Sequence, residues 1–460
     1  MNAALRRHLL DCRPVGVALF QRNIVSLEQT ARLIKEIRAI LGPIFVSIDH
    51  EGGLVNRFSD LAPVPPSAYA LGRSGRIELA RMAGHQQAGL LAHLGINMNF
   101  APCLDLYHQE SPVIGTRAFS AHPDEVARFG LAVMEEHLKM GVIPVGKHFC
   151  GHGRSRTDSH VDNGQVNVAR SGLDRMELKP FQLAIDQGLP AIMTAHLHFP
   201  QLDPGHPASL SKSILTDLLR EEMGFQGVVI SDCLEMAATS RGYSHKQMVQ
   251  LGQWAGLDLW LSSYSLKESL SFQKDLALAL RRHQPGPLKQ HVQSLLERAQ
   301  NPQGQPASWG ENHRLWEACL SANGTLEKIK AKKLHILELR PPIAQGITQG
   351  EAAHPLQTML EQSSLPIASY QRLNHCLQIG EGVQLANHAG AAILLISHHP
   401  LKNAKKDLAA LKDAKESIHL SLTHQSNLTQ TNQREYCLHG YNASGGRFIT
   451  KMLESLCQNS

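Results

Sequence analysis

The sequence lacks any run of eighteen apolar residues, which excludes a membrane-spanning helix of ordinary length. The first sixteen residues, MNAALRRHLLDCRPVG, carry arginines but no apolar core of signal-peptide length. The eight cysteines are scattered without a CxxC pair, which excludes a zinc ribbon and a dense disulfide framework. Together these absences lead us to expect a cytoplasmic protein with no membrane partner.

Signals for nucleic-acid and nucleotide binding are also missing. Lys and Arg total 45 against 40 Asp and Glu, a net charge of +5, and no dense basic run with interleaved aromatics occurs. No GxGxxG or GxxxxGKS/T motif follows a strand-like run, which argues against a phosphate-binding loop. We therefore expect no nucleic-acid partner and no cofactor.

What the sequence does contain is a repeated alternation of apolar runs and amphipathic stretches. Helical patterns cover 26–41, 124–140 and 210–223, and the first begins after Ser26, a suitable N-cap. Continuous apolar strands, each followed by a helix, indicate a parallel sheet buried on both faces. Seven such units favour a TIM-type (β/α) barrel over a doubly wound sheet. The predicted strands are 16–20, 44–49, 96–102, 142–149, 191–196, 227–232 and 257–263.

The length of 460 residues, with 42% hydrophobic residues, predicts two domains. We assign residues 1–300 to the barrel and 301–325 to a linker, because 301–312 are rich in Gly, Pro and Gln. Residues 326–460 are predicted to form a small α/β sandwich-like domain with strands at 334–339, 391–397 and 417–423. This second part shows no cluster of catalytic groups, so we expect a structural role for it.

Polar side chains follow the predicted barrel strands where each strand ends. In a barrel these carboxyl ends converge on one mouth, where active sites are built. Arg57 follows a double glycine after the second strand, and Arg117 lies on another loop. Several donors and two strand-end carboxylates suit a neutral polyhydroxy ligand. The strand-end groups are Asp49-His50-Glu51, Lys147-His148, His196 and Asp232.

The segment GKHFCGHGRSRTDSHVD, residues 146–162, crowds histidine, cysteine and aspartate into seventeen positions. These residue types can bind a metal, transfer protons, or form a polar loop without chemistry. The HxH pair formed by His196 and His198 would also suit a metal site. His152 fits better as a residue that shapes the loop, and Cys150 as a small buried hydrophobe. We therefore expect no metal.

Seven blocks give the chain a recognisable resemblance. From about residue 13 to 264 it resembles the family 3 glycoside hydrolases, specifically their β-N-acetylglucosaminidase branch. The most diagnostic block is KHFCGHGRSRTDSH, which ordinary β-glucosidases of that family lack. The other blocks, in the family's order, are GVALFQRNI, IDHEGGLVNRF, NFAPCLDL, VIGTRAFS, MTAHLHFPQLD and GVVISDCLEM.

The resemblance implies roles by position. Asp232 would be the catalytic nucleophile and His160 the general acid/base, oriented by Asp158. The implied activity is retaining, exo-acting removal of terminal β-linked N-acetylglucosamine from a glycan or muropeptide substrate, by a monomer or homodimer. Two alternatives stay open: a β-N-acetylglucosaminide phosphorylase and a non-catalytic sugar-binding protein. The residues implied to line the sugar subsite are Asp49, Arg57, Arg117, Lys147, His148 and His196.

Three departures from the family pattern matter. Cys150 stands where the branch usually has proline, and Cys233 where it often has a second aspartate. Neither change removes a proton-transfer group, so activity should survive. Family barrels also carry another strand before the one predicted at 16–20. The resemblance therefore implies a barrel without its first strand, whose edges would be exposed. Either the sequence starts too late to include that strand, or another segment covers the gap.

Overall fold

The computed structural model describes most of the first 321 residues and five strands beyond them. Within residues 1–321 it omits 59–60, 109–110, 112, 156–163, 237–241, 264–265 and 284–288. In the described part, no helix is long and apolar enough to cross a bilayer.

Seven parallel strands form one curled sheet in strict chain order. All seven predicted strands are present, and this order confirms the barrel type of fold over a doubly wound sheet. The third strand is much shorter than the predicted 96–102, because Pro102 cannot donate to a ladder and the chain leaves regular geometry there. The strands are β1 Gly16–Leu19, β2 Phe45–Ile48, β3 Met98–Asn99, β4 Ile143–Phe149, β5 Ala191–Thr194, β6 Val228–Cys233 and β7 Leu259–Leu261.

Eleven α-helices and one π-helix, besides three short 3₁₀ helices, surround this sheet in the described residues. Ser26 caps α2 as predicted, since its side chain accepts from the backbone N–H of Gln29. The helix predicted over 210–223 begins later and has π-type geometry. The helices are α1 Ala3–Cys12, α2 Leu27–Leu41, α3 Ala68–Arg73, α4 Ile77–Leu94, α5 Pro123–Lys139, α6 Arg170–Arg175, α7 Leu178–Asp186, α8 Ser213–Glu222, α9 His245–Ala255, α10 Leu266–His283, α11 Gln290–Arg298 and α12 Trp309–Ser321.

The inside of the barrel is an apolar core, not a channel. Side chains near the N-terminal ends of the strands, such as Phe45, Ile143 and Val228, pack there in one cluster. Val292 and Leu295 of α11 belong to the same cluster. Helix α11 therefore packs across the N-terminal end of the barrel core.

The sheet does not close on itself: in the described residues, no strand pairing joins β7 to β1. This matches the expectation of a barrel that lacks one strand. Helix α1 contacts both α2 and α10, which flank this seam. His8 Nε2 lies 2.7 Å from Gln273 Oε1, and Arg281 donates to the carbonyl oxygen of Asp11. At the other end, Arg22 donates to the carbonyl oxygen of Ser263 across the seam.

Helix α12 lies within the segment predicted as a linker over 301–325. Leu315 and Trp316 are buried, and Leu315 shares an apolar cluster with α4 and α5. The indole N–H of Trp316 donates to the carbonyl oxygen of Val64 at 3.2 Å. This part of the segment is therefore folded against the barrel, because its apolar residues recur at helical spacing. The domain boundaries at 300 and 326 stay predictions.

The five C-terminal strands form a separate parallel sheet. Its order, β9-β8-β10-β11-β12, is the 2-1-3-4-5 order of open doubly wound sheets. The strands predicted at 334–339, 391–397 and 417–423 are confirmed, whereas β9 and β12 were not predicted because their sequences mix polar with apolar residues. The bounds are β8 Leu334–Leu339, β9 Ile367–Leu373, β10 Ala392–Ser397, β11 Ser417–Ser421 and β12 Arg434–Cys437.

Candidate active site

Strand alternation aims polar groups into the open mouth of the barrel. Ile143 and Val145 of β4 belong to the interior core, so Lys147, two positions further on, points to the same side. The same period of two places Asp232 after Val228 and Ile230 of β6. Asp49 follows Phe45 in this way at the end of β2. Three of the predicted site residues therefore project into the mouth from different strands.

Five charged side chains form one continuous chain in this mouth. The ammonium group of Lys147 donates to Asp49 Oδ1 at 2.7 Å and lies 2.6 Å from Glu51 Oε1. Arg57 donates to the other oxygen of Asp49 at 3.1 Å. Arg117 grips Glu51 with two hydrogen bonds of 2.8 and 2.9 Å. Cations and carboxylates thus alternate, and each group holds its neighbour in a fixed direction.

The electrostatics of this chain keep its members charged. Burial favours a neutral Glu51, but Arg117 and Lys147 outweigh burial and lower its pKa to about 2. Burial opposes the ionised form of Asp49 as well, yet Lys147 and Arg57 hold its pKa well below the usual range. Burial also opposes the charge of Lys147, which Asp49 and Glu51 restore by raising its pKa. At neutral pH the mouth therefore presents fixed donors and acceptors.

A second network lies beside the first. His148 Nδ1 is 2.6 Å from Asp105 Oδ2, and its Nε2 is 3.2 Å from a terminal nitrogen of Arg117. The backbone N–H of His152 donates to Asp105 Oδ1 at 2.6 Å. Burial would raise the pKa of Asp105, but His148 and these hydrogen bonds hold it well below its usual range. His148 is thus coupled to the first chain through Arg117.

Asp232 is half-buried between buried neighbours, so a ligand in the mouth can reach it. One of its oxygens accepts the backbone N–H of Cys233 at 2.7 Å. His196 lies next to this turn: its Nε2 is 3.0 Å from the carbonyl oxygen of Cys233 and its Nδ1 is 2.7 Å from Ser209 Oγ. Both ring nitrogens of His196 therefore contact protein, and the residue ties β5 to β6 beside Asp232. Its predicted contact with sugar stays a prediction.

Asp158 and His160 lie outside the described residues, so their predicted roles stay predictions. The start of their loop is described and is tightly packed. Gly151 has a φ of +116°, a conformation that side chains rarely adopt. A Cβ on Gly153 would lie 2.2 Å from the carbonyl oxygen of Leu106. These glycines therefore allow close packing at the base of the loop.

Two site residues were not assigned roles from the sequence, Glu51 and Asp105. Glu51 stands two positions after Asp49 and was noted at the strand end, but its partner Arg117 is 66 residues away. Asp105 stood inside the block NFAPCLDL without a role. The sequence feature that marks both residues is an acidic side chain just beyond an apolar run. Sequence alone cannot distinguish such a residue in a site from one in a solvent-exposed turn.

Among the described residues, one group has the composition of a metal site: Cys103, Asp105 and His148, whose ligand atoms lie within 4.8 Å of one another. The atoms are already joined by hydrogen bonds, with Cys103 Sγ donating to Asp105 Oδ2 at 3.3 Å. Burial and the Asp105 charge raise the pKa of the Cys103 thiol well above its usual value. Metals bind the thiolate, so this group fits a hydrogen-bonded network better than a metal. The expectation of no metal stays a prediction.

A family model described as the glycosyl hydrolase family 3 N-terminal domain matches residues 1–284. The chain belongs to glycosyl hydrolase family 3. It is therefore a glycoside hydrolase, and its sheet is the TIM-like barrel of that family.

Relatives named β-hexosaminidase match a little more than half of this chain. The β-hexosaminidase of Thiobacillus denitrificans is 39% identical over 263 residues, which cover 56% of this chain and 73% of that protein. The β-hexosaminidase of Neisseria meningitidis serogroup B is 36% identical over 264 residues, 56% of this chain and 73% of that one. Both matches fall short of this chain's full length, since each covers 56% of it.

Solved structures extend the likeness. A family 3 β-N-acetylglucosaminidase from Paenibacillus sp. has a TM-score of 0.84 and 27% identity, covering 99% of this chain and 93% of that one. NagZ from Neisseria gonorrhoeae, in complex with N-trifluoroacetyl-D-glucosamine, has a TM-score of 0.60 and 31% identity, covering 69% of this chain and 94% of that one. The first of these family 3 structures is similar over both the barrel and the C-terminal part.

Proposed function

We propose that this family 3 enzyme is a retaining, exo-acting β-N-acetylhexosaminidase that removes a terminal, non-reducing β-linked N-acetylglucosamine. The observation that carries the proposal is the mouth itself, where Asp232 faces the same space as the paired charges of Asp49, Lys147 and Glu51. The names of the relatives, β-hexosaminidase and β-N-acetylglucosaminidase, support the choice of sugar.

The mouth is suited to a neutral sugar. Each cation is already paired with a carboxylate, so the chain offers hydroxyl groups both donors and acceptors without strongly attracting a charged ligand. Because burial and hydrogen bonds hold these groups in place, they lose little freedom when a substrate binds. Arg57, Arg117 and Lys147 would donate to the sugar hydroxyls and acetamide, Asp49 would accept, and His148 would line the subsite beside Arg117.

Retention requires a nucleophile on one face of the sugar and a proton donor on the other. Asp232 would attack the anomeric carbon while His160 gives its proton to the leaving oxygen, forming a glycosyl–enzyme ester. His160 would then take a proton from water as that water displaces the carboxylate. Histidine can do both near neutral pH, and Asp158 would hold the ring in the required tautomer. The substrates would be peptidoglycan fragments in the cytoplasm.

A chromogenic aryl N-acetyl-β-glucosaminide tests the proposal directly. We expect the wild-type protein to hydrolyse this compound, and proton NMR to show that the β-anomer of the sugar is released first. In Asp232→Ala and in His160→Ala we expect kcat to fall about a thousandfold or more. Asp217→Ala is the control, since that carboxylate pairs on the surface with Lys212. Full activity in Asp232→Ala would contradict the nucleophile assignment.

The same assay separates the alternatives. A histidine acid/base repels phosphate less than a carboxylate would, so phosphorolysis is the second candidate. Formation of a sugar 1-phosphate when phosphate is added would establish a phosphorylase. Binding of N-acetylglucosamine without any product release would establish a non-catalytic sugar-binding protein.

A further inference from the structure

Asp105 follows β3 and has no role in the function proposed above. After β3 the chain runs beside the end of β4, where Cys103 pairs with Lys147 in parallel register. The backbone N–H of Leu104 donates to the carbonyl oxygen of Lys147 at 2.7 Å, and that of Lys147 donates to Pro102 at 3.2 Å. These hydrogen bonds fix the segment against β4. They bring Asp105 directly against His148.

Asp105 is buried, with 1% of its surface exposed, and four donors surround its carboxylate. Oδ2 faces the ring Nδ1 of His148 at 2.6 Å, the backbone N–H of His148 at 3.2 Å and the thiol of Cys103 at 3.3 Å. Oδ1 accepts the backbone N–H of His152 at 2.6 Å. A carboxylate that accepts this many hydrogen bonds is held in its ionised form.

The two neighbours of the His148 ring are of opposite kinds. An ionised carboxylate can only accept, so Nδ1 beside Asp105 must carry a proton. A guanidinium can only donate, so Nε2 beside Arg117 must present its lone pair. We propose that Asp105 is a positioning residue that fixes His148 as the Nδ1–H tautomer, so that Nε2 can accept from Arg117 and hold it against Glu51.

Asp105 therefore acts on the sugar subsite without touching the substrate. The path runs from Asp105 through His148 to Arg117, whose other hydrogen bonds go to Glu51. If the His148 proton moved to Nε2, an N–H would face the N–H of Arg117, and the guanidinium would turn away. The subsite would lose one fixed donor, and the pairing of Glu51 would weaken. This consequence rests on the proposed function, but the tautomer does not.

Asp105→Asn is the sharpest perturbation, since it keeps shape and volume. A carboxamide places an NH₂ group against either the Nδ1 of His148 or the backbone N–H of His152. Either orientation removes one acceptor from a site that needs two. We expect KM for the aryl glycoside, and the dissociation constant for N-acetylglucosamine, to rise about ten- to a hundredfold, with a smaller change in kcat.

The decisive readout is the proton position itself. In protein labelled with ¹⁵N-histidine, two-bond ¹H–¹⁵N correlations distinguish the two tautomers, and contacts with His152 identify the His148 signals. We expect Nδ1–H in the wild-type protein, and in Asp105→Asn either Nε2–H or a mixture of the two forms. Asp258→Asn is the matched control: Asp258 is also buried and accepts from Arg220, Lys289 and a backbone N–H, but lies at the closed end of the barrel.

Each outcome decides the inference. A wild-type spectrum with Nε2–H would overturn it, whether or not the variant folds. Unchanged KM and sugar affinity in Asp105→Asn would overturn it too. A similar loss of affinity in Asp258→Asn would mean that Asp105 is merely structural. If the wild-type protein proved not to hydrolyse the glycoside, the spectrum and sugar affinity would still test the role of Asp105, whereas the proposed function would fail alone.

Discussion

Lys147→Met removes the buried ammonium group that bridges Asp49 and Glu51 at the mouth of the barrel. The side chains of Lys147 and Glu51 are 2% and 5% exposed, so water hardly solvates the Glu51 carboxylate left behind. Removing one partner of a buried ion pair costs about 3–5 kcal/mol. We expect the free energy of unfolding at pH 7 to fall by that amount, because methionine fills the space without replacing the charge.

The pH dependence of this stability difference follows from the pKa of Glu51. Its pKa drops from an ordinary value of 4.5 to about 2 in the folded protein. At 1.36 kcal/mol per pH unit, this difference is worth about 3 kcal/mol, and Lys147→Met removes only the share of Lys147, because Arg117 remains. Because the folded pKa is lowered, the stabilisation is fully present above pH 4.5 and is lost as the pH falls toward 2. The stability gap between wild type and Lys147→Met should therefore be widest at pH 7 and narrow below pH 4.5.

Urea unfolding followed by tryptophan fluorescence measures this gap, since all four tryptophans lie between residues 254 and 316 and report on the barrel part. The matched control is Lys179→Met, whose side chain is 41% exposed and pairs with Asp124, 71% exposed, on the surface. Such exposed pairs contribute only about 0–1 kcal/mol. A Lys147→Met variant as stable as Lys179→Met at pH 7, or a stability gap that stays constant into acid, would refute the electrostatic explanation.

Three further predictions concern acid stability, packing and the loop base. Burial lowers the pKa of His50 to about 3 and that of His137 to about 4. Because the unfolded chain then binds protons first, the urea concentration at the unfolding midpoint should fall as the pH falls from 6.5. A midpoint that does not change with pH would contradict this. Trp316→Ala should lower the free energy of unfolding in urea by about 3–5 kcal/mol. Trp309 is 38% exposed, so Trp309→Ala should lower it far less. Equal losses would mean that α12 is not packed on the barrel. Gly153→Ala places a Cβ 2.2 Å from a backbone carbonyl oxygen. The variant should have a lower kcat/KM and a free energy of unfolding about 1–3 kcal/mol smaller. Wild-type activity and stability would contradict the tight packing.

Much of the barrel could be predicted because its signals are local. Continuous apolar runs marked all seven strands, and a period of two then aimed Lys147 and Asp232 into the mouth. The pairing of side chains could not be predicted in the same way. Arg117 meets Glu51 across 66 residues and His148 meets Asp105 across 43, contacts that depend on how loops from different strands pack. The packed helix in the predicted linker was missed because Gly and Pro dominate the residues before it.

The arrangement of charges also bears on hydrolysis against phosphorolysis. A phosphorylase must bind a phosphate dianion next to the anomeric carbon, and free cations are the usual means. Here Lys147 is in contact with two carboxylates, Arg57 with Asp49 and Arg117 with Glu51. An incoming phosphate would have to compete with buried carboxylates whose pKa values are lowered by these same cations. Water faces no such competition, and the described part of the mouth therefore favours hydrolysis.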